Sequence, residues 1–356
     1  MIRTTLIYNP VAGRNPARRQ AEICAAADVL RRSGFTLDLR TTTGPGSARH
    51  LAWSADREGA DAVIVCGGDG TVNEAVNGLA LGACPLAILP GGTANIAAKD
   101  LGLAGCVLAA ARELKNARLC RIALGRVAWG LAESRPPASS AGRISSDAQR
   151  AALPTVDGCR YFLSVAGVGF DAYVIHRLGW DLKQDFGVAA YVWEALRQVW
   201  RYGFPRFTCR HGLKHWRGTT ALFQRTERYA GWLHVTPGAS LLNPELKLLL
   251  FESRRPWRYC LYAAAIGIRR HLQLHDLRLV ESWPLDCSAD VPSRPIYVQL
   301  DGELAGELPA SFDLVPDALT LFLPERLAAA SVSVPARPRG TAMTWTISRT
   351  PSPESP

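Results

Sequence analysis

Residues 63–78, VIVCGGDGTVNEAVNG, decide how the first half of this chain folds. The run Val63 to Cys66 is continuously apolar and stops at Gly67-Gly68-Asp69-Gly70-Thr71. Beyond it Val72, Ala75, Val76 and Leu79 recur at helical spacing. The stretch predicts a buried strand, a glycine turn and a helix start. Such a junction aims unpaired backbone N–H groups and the positive end of a helix dipole at one point, which suits a phosphate. Glycine allows positive φ and a close backbone approach. Asp69 adds a carboxylate, which repels phosphate unless a cation such as Mg²⁺ stands between them. The local expectation is a Mg-nucleotide site.

Three further apolar segments, Thr4–Tyr8, Leu37–Arg40 and Pro85–Leu89, join Ala62–Cys66 as strand candidates. Helical patterns over Ala17–Ser33, Ser47–Glu58 and Thr71–Leu81 alternate with them, which predicts a doubly wound α/β domain with a parallel sheet covered on both faces. Two more strand ends carry turn chemistry: Asn9-Pro10-Val11-Ala12-Gly13 and Pro90-Gly91-Gly92-Thr93-Ala94-Asn95. Ligands collect at the carboxyl ends of strands in such sheets, so all three loops are expected to line one crevice.

After about residue 128 the pattern changes. Residues 132–150 are rich in Ser, Pro and Arg and read as a flexible loop. Strand-like segments follow at Tyr161–Val165, Arg206–Cys209, Thr219–Phe223, Leu246–Phe251, Leu277–Glu281, Ile296–Leu300 and Leu319–Leu323, predicting a mainly antiparallel second domain. Val188–Val199 is the clearest helix there, its Val188, Tyr191, Val192, Ala195, Leu196 and Val199 face expected to pack on the sheet. The expected domains are 1–128, 129–328 and a disordered tail, 329–356.

The 356 residues carry a net charge of +10, and the segment His176–Arg278 holds 17 basic against 7 acidic residues, enough to account for it. Six of the ten tryptophans lie in the same segment: Trp180, Trp193, Trp200, Trp216, Trp232 and Trp257. Basic residues interleaved with aromatics suit a solvated face or an anionic membrane surface, and less well nucleic acid, which is not expected as a partner. Arg197, Arg201, Arg206, Arg210, Lys214 and Arg217 recur every three to five residues, as on one charged face. The nine cysteines show neither C-x-x-C nor zinc spacing and read as reduced thiols of a cytoplasmic protein. The first ten residues do not suit a signal peptide, and no run reaches membrane-spanning length. His211/His215 and His271/His275 have i,i+4 spacing without a third ligand and read as surface histidines.

Taken together, Asn9-Pro10-x-x-Gly13, Gly67-Gly68-Asp69-Gly70-Thr71-x-Asn73-Glu74, Pro90–Asn95, Gly167-x-Gly169-Phe170-Asp171-Ala172 and Asp301-Gly302-Glu303 resemble the diacylglycerol kinase catalytic family, in its bacterial lipid-kinase branch. The resemblance runs over about residues 1–325. It implies an α/β nucleotide domain followed by a β-sandwich-like domain with the active site in the cleft, ATP as phosphoryl donor, Mg²⁺ as cofactor and a lipid hydroxyl as acceptor. It further implies peripheral association with the inner face of the membrane. A homodimer through an exposed sheet edge is compatible with it.

On that resemblance Gly67, Gly68, Gly70 and Thr71 contact phosphates and Asp69 holds Mg²⁺, with a catalytic role in some relatives. Asn9, Pro10 and Gly13 close over the nucleotide, Gly92, Thr93 and Asn95 contact it, and Arg14 either reaches phosphate or is solvated. Thr43, Asn73 and Glu74 either contact the nucleotide or cap helices. The general base falls to Asp301 or Glu303, whose i,i+2 spacing on an extended chain puts both carboxylates on one face. Asp171 meets the acceptor head group or orients its loop. Some bacterial members bind a structural Mg²⁺ in an L-x-x-D-G-x-L segment; here Asn243 and Pro244 replace the Asp and Gly, which disfavours that metal. Two other readings remain at this stage: an NAD-kinase-like phosphotransferase, which shares GGDGT, and a catalytically inactive lipid-binding protein on the same fold.

Overall fold

The computed structural model describes residues 1–13, 16–103, 105–129, 158–177, 188–229 and 233–328. Arg14, Trp180, Trp232, the 132–150 stretch and the 329–356 tail lie outside the described residues.

Strands β1 (Ile2–Tyr8), β2 (Phe35–Thr41), β3 (Ala62–Gly67) and β4 (Leu86–Pro90) pair in parallel in the order β2-β1-β3-β4. β3 is buried along its whole length because each face has its own core. Val63 and Val65 pack under helices α2 (Ser47–Arg57) and α3 (Asp69–Leu79), while Ile64 and Cys66 pack under α1 (Pro16–Arg32) and α5 (Val107–Glu113). That two-sided burial is why the strand reads as an unbroken apolar run.

The second unit stacks two sheets. One contains β14 (Leu277–Val280), β13 (Lys247–Phe251), β10 (Thr220–Gln224), β7 (Val165–Gly169), β16 (Tyr297–Leu300) and β17 (Glu303–Glu307), in that order and antiparallel throughout. The other continues the parallel sheet. β18 (Ala310–Leu323) touches β4 at Leu321↔Leu86, pairs with β5 (Arg118–Ala128) along its length, and leads to β15 (Leu285–Ala289), β8 (Phe207–His211) and β9 (Lys214–Gly218). Alternation sorts the side chains: Ala221 and Phe223 point between the sheets, and Leu222 points to the outer face. The chain re-enters the first core at its end, since Ala318, Leu319, Leu321 and Leu323 pack with α2 and α3.

Several expectations change here. The strand expected over Tyr161–Val165 is two strands, β6 (Cys159–Phe162) in the ten-stranded sheet and β7 in the six-stranded one, with the switch at Leu163-Ser164. The helix Val188–Gln198 buries only part of the face expected of it: Tyr191, Ala195 and Val199 pack against the sheet, whereas Val192 and Leu196 are exposed and Glu194 and Gln198 are buried in their place. The six basic residues expected on one periodic face are divided between this helix region (Arg197, Arg201) and the β8–β9 hairpin and its approach. His271 is buried, its Nε2 2.7 Å from the Val235 carbonyl, and is not a surface residue. All nine cysteines are free; four are buried, and burial pushes the Cys66 thiol up to about 12, which makes it inert.

Candidate active site

The carboxyl ends of β1, β3 and β4 bring their three loops into contact. Gly68 and Gly92 approach so closely that a Cβ on Gly92 would collide with the Gly68 backbone. Asn9 donates from Nδ2 to Thr71 Oγ1 at 3.3 Å. Asn95 clamps the last loop by accepting the Gly92 N–H and donating to the Gly92 carbonyl, both at 2.8 Å. Its own backbone is left-handed, φ 48°, which asparagine tolerates. Thr93 is exposed at the loop tip. Arg19, unnoticed in the sequence because it sits among other arginines in the first turn of α1, is buried and donates to the Ala12 and Gly91 carbonyls, the latter at 2.6 Å. It ties the Asn9–Gly13 loop to the Pro90–Asn95 loop.

Helix α3 starts at Asp69, so the amides of Asp69, Gly70 and Thr71 occupy its first turn, where no intrahelical acceptor exists. Asp69 Oδ1 accepts the Ile96 N–H at 2.7 Å. Burial pushes its carboxyl up to about 6; backbone donors of the Asn95–Ala97 turn pull it down, and the charge of Asp301 adds to the rise. A carboxylate held this way fits a divalent cation, which removes the penalty of ionising it.

The second unit contributes the other wall through the β16–β17 hairpin. Asp301 and Gly302 form its two-residue turn with φ 47° and 89°, the pattern of a type I′ hairpin. This overturns the expectation of two carboxylates on one extended face. Asp301 turns inward, 8% exposed. Its oxygens accept the N–H groups of Leu163, Ser164 and Val165 at 2.8–2.9 Å and the Asn73 amide at 2.6 Å. These are the donors released where the chain changes sheets between β6 and β7, so Asp301 supplies the acceptors that a strand partner would otherwise give. Burial raises its pKa and the four donors oppose the rise. Glu303, by contrast, reaches into the cleft: a Cβ on Gly70 would collide with Glu303 Oε1. Its side chain is 24% exposed and lies 3.9 Å from Arg160 Nη2.

Two residues that sequence left between contact and cap are now placed. Glu74 accepts the N–H groups of Gly46 (2.6 Å) and Ala48 (3.0 Å), capping α2 and holding the loop that carries exposed Thr43. Asn73 is buried and bridges α3 to Asp301 and to the Tyr161 carbonyl. Asp171 is buried as well: Tyr191 (2.7 Å) and Tyr229 donate to Oδ1, and Gln299 donates to Oδ2 at 2.8 Å. Gln299 Oε1 in turn accepts the Gly302 N–H at 2.7 Å, so Asp171 supports the hairpin turn through Gln299.

Residues 3–127, which contain all three first-unit loops, match the family described as diacylglycerol kinase catalytic domain. This part of the chain is similar to diacylglycerol kinase catalytic domains. Over nearly the whole chain the similarity extends to the diacylglycerol kinase of Bacillus subtilis, 25% identical over 317 residues, covering 88% of this chain and 93% of that protein. The diacylglycerol kinase of Mycobacterium tuberculosis is 28% identical over 326 residues, with 90% and 95% covered. The "Probable lipid kinase YegS-like" of Pseudomonas fluorescens is 29% identical, with 85% and 91% covered. A crystal structure of a diacylglycerol kinase from Bacillus anthracis superposes with a TM-score of 0.64 at 19% identity, over 91% of this chain and 98% of that one, and shows the same fold.

The segment beside the first unit where Asn243 and Pro244 stand is organised by another residue that sequence gave no reason to single out. Arg225, wholly buried just after β10, donates to the carbonyls of Leu241 (3.1 Å), Asn243 (2.9 Å), Glu245 (3.4 Å) and Ala123. Burial lowers it to about 10, so it remains a cation at neutral pH. Asp100, at the end of helix α4 (Ile96–Asp100), accepts the Leu241 N–H and fastens the first unit to this loop. Arg225→Met should deprive four carbonyls of this donor, those of Ala123, Leu241, Asn243 and Glu245, at about 1–3 kcal/mol for each one left unmet. A clear fall in melting temperature is expected; an unchanged one would show that the guanidinium is not what holds this loop.

Proposed function

We propose that the chain is a lipid kinase that transfers the γ-phosphate of ATP, with Mg²⁺, to the hydroxyl of diacylglycerol or a related lipid. The observation that carries this reading is the placement of Glu303 from the second unit against Gly70 of the phosphate-binding turn. A base and a phosphate cradle then share one cleft, as phosphoryl transfer to a hydroxyl requires.

In this reading the first-turn amides of α3 bind phosphate oxygens. Thr71, whose oxygen already accepts from Asn9, turns its hydroxyl hydrogen to the same group. Asp69 would hold Mg²⁺ together with phosphate oxygens, supplying charge neutralisation at the transferred group. Asn95 and Arg19 keep the facing loop rigid. Glu303 takes the proton from the lipid hydroxyl as its oxygen bonds to the γ-phosphorus and the bond to the ADP oxygen breaks. Arg160 balances the charge on Glu303. Asp301 and Asn73 hold the two walls together rather than reacting.

Two measurements test this. Labelled ATP is offered in parallel to NAD and to a panel of lipids in mixed micelles. Label is expected in a phosphorylated lipid; label on NAD, or on no lipid, would reject the reading. The second is pH dependence. Asp69 keeps its proton up to about pH 6, and a proton competes with the cation. Calorimetric binding of Mg-ADP should therefore weaken about tenfold per pH unit below that point and level off above it. Asp69→Asn should abolish the dependence along with most of the affinity.

No helix among the described residues is long and apolar enough to cross a membrane. A bilayer-borne acceptor is then reached from the surface, with the basic segment His176–Arg278 as the source of attraction.

A further inference from the structure

We propose that the helices Val188–Gln198 and Pro256–Gly267, with the turns that follow them, form one docking face for the surface of an anionic phospholipid bilayer. The proposal rests on the lipid-kinase reading for its purpose, while its geometry is independent of that reading.

Both helices cover the outer face of the six-stranded sheet and pack on one shared aromatic layer. Tyr202 and Phe204, just after the first helix, contact Phe170, and Phe204 stacks on Tyr259 of the second helix at 4.2 Å. Their other sides point away from the molecule, and there the usual polarity is reversed. On the first helix Glu194 and Gln198 are buried, bonded to each other at 2.5 Å, whereas Trp193 is 71% exposed, Leu196 57% and, one turn on, Trp200 64%. On the second, Trp257 is 48% exposed and Ile268, at its end, 69%. Single exposed apolar residues are ordinary on a protein surface; a tryptophan-rich set on two helices over one aromatic layer, one of them with Glu194 and Gln198 turned inward, marks an interaction surface.

The charge around this face selects the occupant. Arg197, Arg201, Arg254, Arg255, Arg269 and Arg270 are exposed on the same two segments. The helix Pro256–Gly267 has no acidic residue, and the first helix has only Glu194, which is buried. Tryptophans and leucines ringed by arginines match the interfacial layer of a membrane: indole rings sit at head-group depth, and guanidinium groups meet lipid phosphates. A second copy of this chain fits poorly, because a two-fold contact would set one positive rim against the other.

The face is also connected to the reacting groups. Tyr191, on the inner side of the first helix, donates to Asp171, which holds Gln299, which holds the Gly302 N–H in the turn before Glu303. Docking therefore seats the bilayer on the unit that carries the base.

The test uses the full chain with two variants, Trp193→Ala/Leu196→Ala and Trp257→Ala/Ile268→Ala. Sedimentation with vesicles of phosphatidylglycerol and phosphatidylcholine is compared with phosphatidylcholine alone, and brominated acyl chains report tryptophan insertion by quenching. The expected result is binding to the anionic vesicles with quenching, weakened roughly tenfold or more in each variant. Turnover of dioctanoylglycerol dispersed below its micelle concentration should stay at the wild-type level. Variants that bind like the wild type would overturn the proposal. So would a wild-type dimer that either variant converts to a monomer, since the occupant would then be a second copy. If no lipid is phosphorylated, the kinase reading fails, and the sedimentation and quenching still decide the docking face.

Discussion

Glu303→Gln should lower kcat by about 10²–10⁴-fold, while the KM for ATP and the melting temperature stay close to wild type. The change keeps the side chain's size beside Gly70 and removes its capacity to accept a proton. Glu303 comes from the second unit, and glutamine fills the same space beside Gly70, so ground-state binding of ATP is expected to change little. A kcat within tenfold of wild type would show that another group takes the proton, and would reassign Glu303 to positioning beside Arg160.

Asp301→Asn should behave in the opposite way, failing in stability before it fails in chemistry. Its two oxygens accept four donors: three backbone N–H groups from Leu163, Ser164 and Val165, and the Asn73 amide. Asparagine replaces one acceptor with a donor, which then faces N–H groups, and each buried donor left unmet costs about 1–3 kcal/mol. A loss of about 3 kcal/mol or more is expected, corresponding to a melting temperature lower by roughly 5–10 °C. Because the Asn73 amide on α3 is one of these donors, the variant should also loosen the junction between the two units. Limited proteolysis near the β6–β7 switch measures that loosening. An Asp301→Asn protein as stable as wild type but inactive would instead place Asp301 in the chemistry. The pair of variants thus separates two carboxylates that lie two positions apart in one motif.

The α/β half of the fold was legible because its strands are buried on both faces and its helices on one. Unbroken apolar runs such as Val63–Cys66 and the 3.6-residue spacing after Gly70 admit few other arrangements. The sandwich half was legible as a run of strands but not in its pairing. β5 and β15 went unseen because polar residues interrupt both strands, RLCRIALGRVA and LDCSA. The split of Tyr161–Val165 into two strands could not be read, since it depends on Asp301, more than 130 residues away, satisfying the N–H groups at the break. The helix Val188–Gln198 was legible only in part for a related reason: Tyr191, Ala195 and Val199 pack inward as expected, but that Val192 and Leu196 face away from the protein is not written in the spacing.

The same division holds at the site. The glycine turn at Gly67–Thr71, its companions at Asn9–Gly13 and Pro90–Asn95, and the acids at 69, 301 and 303 were all determined by the sequence, because phosphate cradles need glycine and helix starts in fixed local order. What each acid does was decided by tertiary structure alone. Glu74 is a cap, Asn73 a bridge, Asp171 a support and Asp301 a clasp, because partners distant in the chain reach them first. Glu303 is placed in the cleft only because a left-handed Asp-Gly turn swings it away from Asp301 and against Gly70. Local sequence sets which groups are present; the close packing of two sheets sets which of them still face the cleft.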